Sequence, residues 1–230
     1  MRQGRVQSNP GRAGRRVPAG LALGTALALA LVARAEPAGR FAPLLPPPLG
    51  AGERVELEED GLLIRPLDPS HADGLAVEMM ALVDAAPARV WSVIRDCEGQ
   101  DEYLPRVTRA EVRDREGDAH TCELVIDLPF PLDDSRAASR NHARRLPDGG
   151  YQRHWTLAPG EWSYEHSDGS WTVHPWDDDR SLLVNRMDLL PRSILPVWLL
   201  RAAQARQAPA TFDAIRERVR THGVDADAGD

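Results

Sequence analysis

Between Val107 and Leu190 the chain alternates apolar and polar residues in short runs separated by turn signals, with no helical run between them. The alternation covers residues 107–115, 120–128, 135–146, 151–157, 170–176 and 182–190. The separators include Arg115-Glu116-Gly117-Asp118, Pro147-Asp148-Gly149-Gly150 and Asp177-Asp178-Asp179-Arg180. Period-two runs joined directly by turns predict an antiparallel sheet. At Pro191 the period changes: Ile194, Leu195, Trp198, Leu199, Ala202, Ala203, Ile215 and Val219 recur at helical spacing. Pro196 is close enough to the start of this helix to be tolerated, whereas Pro209 removes an interior hydrogen bond and predicts a kink. A curved sheet cannot cover its inner face alone, and one amphipathic helix cannot bury its own stripe. Laying the helix across the sheet answers both needs. The expected fold class is α+β: a curved antiparallel sheet of six to seven strands wrapped around a long C-terminal helix.

Upstream, residues 75–84 predict a first strand. Pro87 then stands where a helix can begin, because a first-turn residue needs no amide hydrogen. Val90, Trp91, Val93 and Ile94 give residues 86–96 one apolar side. Residues 99–103 predict a second short helix, closed by Leu104-Pro105. The packed domain is expected over residues 74–222, with residues 53–66 a lead-in strand or hairpin and 223–230 a frayed polar tail.

Residues 1–35 hold Arg12, Arg15 and Arg16, then an uncharged Ala/Leu run from Leu21 to Ala33, then the small-x-small sequence Ala33-Arg34-Ala35. This reads as an export signal cleaved between Ala35 and Glu36. The alternative is an uncleaved anchor, although the run is shorter than the roughly 20 residues of a membrane span. Residues 36–73 form a Pro/Ala-rich linker and lead-in, with Leu45-Pro46-Pro47-Pro48 favouring extended conformations. The domain is therefore expected in a bacterial periplasm or the medium, where a disulfide between Cys97 and Cys122 is permitted. The alternation of Cys122 with Leu124 and Ile126 equally fits a buried free thiol.

The chain has a formal charge of −7, and its leading 35 residues contain no Asp or Glu, so the body is more acidic still. Such a body repels phosphate backbones, and no nucleic-acid partner is expected. There is no Lys, which excludes Schiff-base and Walker-type lysine chemistry. The seven His show no HExxH and no helical ligand pair, so no metal is expected. No GxSxG elbow surrounds any Ser. No cofactor is implied.

Val83-Asp84-Ala85-Ala86-Pro87-Ala88-Arg89-Val90-Trp91 with Asp96 and Leu104-Pro105, then Gly169-Ser170-Trp171 with Pro175, then Leu190-Pro191 through Pro196-Val197-Trp198-Leu199, together resemble the START-like (SRPBCC) superfamily of helix-grip domains. That superfamily includes lipid-transfer START domains, coenzyme-Q-binding proteins and polyketide cyclases. The resemblance spans about Leu75 to Val219. It implies binding, with transport, of a lipid or other hydrophobic small molecule in an internal cavity, by a monomer in transient contact with membranes. A cyclase or aromatase in the same cavity, with His142, His154 or Asn185 as its polar groups, and a ligand-free interaction domain are the alternatives. Motifs of this kind report fold more than chemistry.

The hairpin at Pro147-Asp148-Gly149-Gly150 supplies the most specific expectation. If Leu146 pairs with Tyr151, then Arg144 faces Arg153, His142 faces Trp155 and Arg140 faces Leu157. Like charges directly opposite are unfavourable. That face either lines the cavity, with Arg144, Arg153 and His142 receiving an anionic or carbonyl head group, or is a wet hairpin end satisfied by nearby carboxylates. With Trp155 and Leu157 packing the ligand body, the expected lining is completed by Trp171, Asn185, Met187, Leu195 and Trp198. The helix or the loop Pro129-Phe130-Pro131 would move to admit the ligand. A one-residue slip in register would reverse every such assignment.

Overall fold

The computed structural model describes residues 41, 45–117, 119–128, 133–193 and 195–222. All of them lie in the unit Pro37–Asp230. The signal segment 1–35, its cleavage point at Ala35 and Glu36, the loop Pro129-Phe130-Pro131, Ile194 and the tail 223–230 lie outside the described residues.

The order of elements is α1 (Ala51–Asp60), β1 (Leu62–Leu67), β2 (Leu75–Val83), α2 (Pro87–Ile94), α3 (Gln100–Tyr103), β3 (Val107–Glu116), β4 (Ala119–Ile126), β5 (Ser135–Arg145), β6 (Tyr151–Leu157), β7 (Tyr164–Pro175), β8 (Ser181–Pro191) and α4 (Val197–Thr221). The strands form a single eight-stranded sheet in the order β1-β2-β8-β7-β6-β5-β4-β3. Every pairing is antiparallel. This is the expected α+β helix-grip, with one strand more than the six to seven read from the alternation. The extra strand is β1, an edge strand that tolerates Pro66 because one side of it has no ladder to complete.

Residues 53–66 hold the lead-in strand β1 from Leu62 onward, but no hairpin: a helix precedes the strand. Gly50 precedes a helix whose Glu53 carboxylate accepts from the Gly50 amide at 2.8 Å, and Gly61 ends it with φ 72°. A left-handed C-terminal residue of this kind favours glycine. Val55 and Leu57 mimic strand alternation, but only Leu57 is buried while Val55 faces solvent.

Two apolar clusters hold the sheet. On the concave side, Val77, Met79, Val83, Val173 and Leu183 meet Val90, Trp91 and Ile94 of α2 and Phe212, Ile215 and Val219 of α4. On the convex side, Leu57 of α1 packs with Leu63, Met80, Leu82, Leu182 and Val184. Strand β2 is thus covered on both faces, which explains its nearly unbroken apolar sequence. Helix α4 continues through Pro209, with Ala208 and Phe212 buried on either side of it. The burial of that turn offsets the hydrogen bond that proline cannot donate.

Candidate functional site

The concave face is filled at one end only. Over β2, β7 and β8 the second half of α4 and α2 close the core. Over β4, β5 and β6 the inward residues Leu124, Ile126, Ala137, Ser139, Trp155 and Leu157 are half-buried, whereas Cys122, Ser135 and Asn141 on the same face are buried. In the first half of α4 only Val197, Leu200 and Gln204 are partly covered, and Gln204 Nε2 lies against Met187 Sδ on β8. Trp198 and Leu199 turn outward, with 69% and 38% of their surface exposed.

Aromatic rings shape the boundary between the two regions. Trp171 meets Phe212 edge-on at 5.7 Å, and Trp91 stacks on Tyr151 at 5.3 Å. Trp155 crosses over Gly169, its partner on β7, and its indole N–H donates to Ser167 Oγ at 3.2 Å. A Cβ on Gly169 would stand 2.1 Å from the Trp155 ring, so only glycine lets the indole lie flat there.

Arg153 sits at the same boundary. It is paired across the sheet with Ala143 on β5 and Trp171 on β7, and only 6% of its surface is exposed. The carboxamide oxygen of Gln100, turned toward it, accepts from Nη1 at 3.0 Å and Nη2 at 3.3 Å, while Nε is buried without a partner. Burial pushes the Arg153 guanidinium down to about 10, against the influence of Tyr103 and Asp96, so it remains charged at neutral pH. Burial pushes the neighbouring Tyr103 phenol up to about 12. Burial, and then the Arg153 charge, hold His120 below the ordinary histidine value.

The short segment that caps this arginine is fastened on several sides. Asp96 Oδ1 accepts from the Gly99 amide at 3.2 Å, and Tyr103 O–H donates to the Val93 carbonyl at 3.4 Å. Arg218 of α4 lies over the Tyr103 ring and donates to Glu102 at 2.7 Å. Cys97 and Cys122 are joined by a disulfide that ties the segment to β4.

Of the residues expected to line the cavity, Arg153, Trp155, Leu157, Trp171, Asn185 and Met187 share the concave face. Leu195 is half-buried just before α4, and Trp198 points away from the sheet. His142 and Arg144 are corrected: both lie on the convex face. The observed register sets Arg144 against Gln152, Ala143 against Arg153, His142 against His154, and Asn141 against Trp155. The cause is the turn. Leu146 bonds to Gly150, not Tyr151, with its N–H donating to the Gly150 carbonyl at 2.9 Å and its carbonyl accepting from Gly149 at 3.1 Å. The loop is three residues, closed by Gly149 at φ 86°. That one-residue difference turns His142 and Arg144 over, and Arg144 Nε donates to Gln152 instead. His154 also faces outward, 3.4 Å from Asp168, so of the proposed enzymatic groups only Asn185 remains on the concave side.

Gln100, Tyr103, His120 and Asn141 are the polar concave-face residues that sequence reasoning missed. Tyr103 stands in a stretch that marks the fold, but nothing local shows that Gln100 reaches across to Arg153. The convex face carries its own charge pairs, among them buried Arg186, whose Nε donates to Glu78 at 2.5 Å, and half-buried Arg65, bonded to both Glu53 and Glu78. Among the described residues no group of His, Cys, Asp and Glu has the arrangement of a metal site.

A family model described as polyketide cyclase / dehydrase and lipid transport matches residues 83–216. The match takes in more than half of the sequence, and the chain belongs to that family. Among curated proteins no sequence match is found. Several solved structures share the fold. A STAR-related lipid transfer protein from Xanthomonas axonopodis is 18% identical, with 70% of this chain and 95% of that chain covered and a TM-score of 0.62. Human STARD10 is 12% identical over 76% of this chain and 82% of that chain, with a TM-score of 0.58. The Zhui aromatase/cyclase from Streptomyces sp. R1128 is 20% identical over 68% of this chain and 99% of that chain, with a TM-score of 0.54.

Proposed function

We propose that this protein binds a lipid or another hydrophobic small molecule on the concave face, between the outer strands β4–β6 and the first half of α4, and acts as a carrier. The observation that carries this reading is the half-filled concave face: half-buried apolar inward side chains on β4–β6 that belong to neither core cluster among the described residues. Covering those side chains with an apolar ligand removes their surface from water, at roughly 25 cal/mol per Å². Family membership supports the same reading. Native mass spectrometry of protein recovered from its own envelope, followed by extraction of bound molecules, tests it. A stoichiometric lipid, quinone or sterol is expected. An empty protein that also binds none of a panel of such compounds would overturn it.

A cyclase or aromatase acting in the same cavity is the second reading. The observation in its favour is the polar group formed by Arg153, Tyr103 and His120 at the inner end. It requires turnover of a reactive ligand, not release of an unchanged one.

Export belongs to the same proposal. The leading segment has the form of a cleavable signal, and the Cys97–Cys122 bridge suits an oxidising compartment. Exposed Trp198 and Leu199 beside the open end of the concave face support transient contact of a monomer with a membrane surface. No helix among the described residues is long and apolar enough to cross a membrane. N-terminal sequencing of envelope protein beginning at Glu36 is the expected result for cleavage.

A further inference from the structure

We propose that Arg153 is a receptor for an anion, so that the ligand of the concave face is a negatively charged amphiphile with its carboxylate or phosphate head at Arg153 and its apolar body along Trp155 and Leu157. This rests on the reading that the concave face binds a hydrophobic ligand.

The buried charges of this fold are not all balanced. Among the described residues two arginines are buried, Arg153 and Arg186. Arg186 is bonded to Glu78. The buried carboxylate of Glu123 is likewise held by Arg113 and Arg136. Arg153 alone among these meets no carboxylate within ion-pair distance among the described residues. Its side-chain acceptor is the neutral amide of Gln100, and its Nε has none. A charge withdrawn from water and left without a counter-ion is costly, which makes such a group a candidate for a functional site. Asp96 acts on Arg153 only at longer range, and its Oδ1 is occupied by the Gly99 amide.

Arg153 also stands where the packed core stops, with buried Val173 beyond its neighbour Tyr151 on one side and half-buried Ala143 and Trp155 on the other. A head group at Arg153 therefore continues into the unfilled half of the face without crossing the core. The surrounding polar groups suit an anion as well. The Tyr103 phenol, whose O–H is committed to the Val93 carbonyl, stays protonated at neutral pH and so places no competing negative charge beside the guanidinium, and His120 Nε2 is buried without a partner. The free Nε edge of a guanidinium matches the paired oxygens of a carboxylate or phosphate.

The test measures binding of three probes with one shared eighteen-carbon tail to the delipidated full-length protein by titration calorimetry: oleate, oleoyl lysophosphatidate and oleyl alcohol. At least one of the two anions is expected to bind tenfold or more tightly than the alcohol, and the tighter one identifies a carboxylate or a phosphate head. Arg153→Met is expected to abolish that preference, weakening the anion at least tenfold more than the alcohol. Arg153→Gln serves as a second variant, and if neither folds, the ratio measured on the unaltered protein decides. Equal affinity for all three probes, or a preference that survives the loss of Arg153, overturns the anion receptor and leaves hydrophobic binding standing. Failure of every probe to bind overturns both.

Discussion

Gly169→Ala places one methyl group where the structure leaves no room. The new Cβ would stand 2.1 Å from Trp155 Cζ2 and 2.6 Å from the Arg186 carbonyl oxygen. Carbon atoms in contact sit about 3.5–4 Å apart, so the indole must shift by more than about 1 Å and β7 must ease away from β8. Overpacking of this kind costs about 1–3 kcal/mol. Breaking the Trp155–Ser167 hydrogen bond adds about 1 kcal/mol, so the expected loss is about 2–4 kcal/mol. For a domain of this size each kcal/mol lowers Tm by about 2–4 °C. The assay is urea unfolding followed by tryptophan fluorescence, run as a cycle with Trp155→Ala. Removing the indole relieves its share of the clash but not that of the Arg186 carbonyl, so the coupling should reach about 1 kcal/mol with part of the loss remaining. A Gly169→Ala protein within about 0.5 kcal/mol of the parent, or additive effects of the two substitutions, would refute the close approach of Trp155 to the β7 backbone.

Replacing Cys97 and Cys122 by Ser opens a loop of 25 residues, and loop-closure entropy places the loss at about 3.5 kcal/mol. Urea curves with and without reductant should show the same loss in the parent protein and no reductant effect in the variant. Burial holds His174 below its ordinary value despite Asp148, and burial together with Arg153 does the same for His120. The unfolded chain then takes up protons near pH 6.5 that the folded chain refuses, so stability should fall as pH drops below about 6.5 and level off below the folded values. Tm measured from pH 7.5 to 5.0 should decline less steeply in His120→Gln/His174→Gln, and an unchanged slope would contradict this assignment. Trp198→Ser removes an exposed ring, so stability should stay within about 0.5 kcal/mol while sedimentation with phospholipid vesicles weakens, and undiminished sedimentation would remove Trp198 from the membrane-contact proposal.

Local sequence was sufficient for much of the architecture. Alternation at residues 107–115 or 182–190 depends on neighbouring residues along one strand, and Pro87 or the helical spacing from Leu195 to Val219 depends on a turn or two of helix. These are short-range properties, and the order of strands, short helices and final helix follows from them. Helix α1 escaped because Val55 and Leu57 suit a strand as well as a helix, and only packing of Leu57 beneath β1 and β2 distinguishes the two.

Register and pairing belong to the tertiary structure. Whether Arg144 or Ala143 opposes Arg153 turns on one residue in the loop at Gly149, and side chains alternate faces, so that single residue decides which groups reach the concave side. The meeting of Gln100 with Arg153, which lie on opposite sides of three intervening strands in the chain, and the bridging of Cys97 to Cys122 depend on how α3 folds back over the sheet. Composition and periodicity determined that this chain would build a sheet around a helix. Only the packed fold decided that a charged arginine would be enclosed on the concave face without a carboxylate within ion-pair distance among the described residues, because burial and counter-ions are set by contacts between segments distant in sequence.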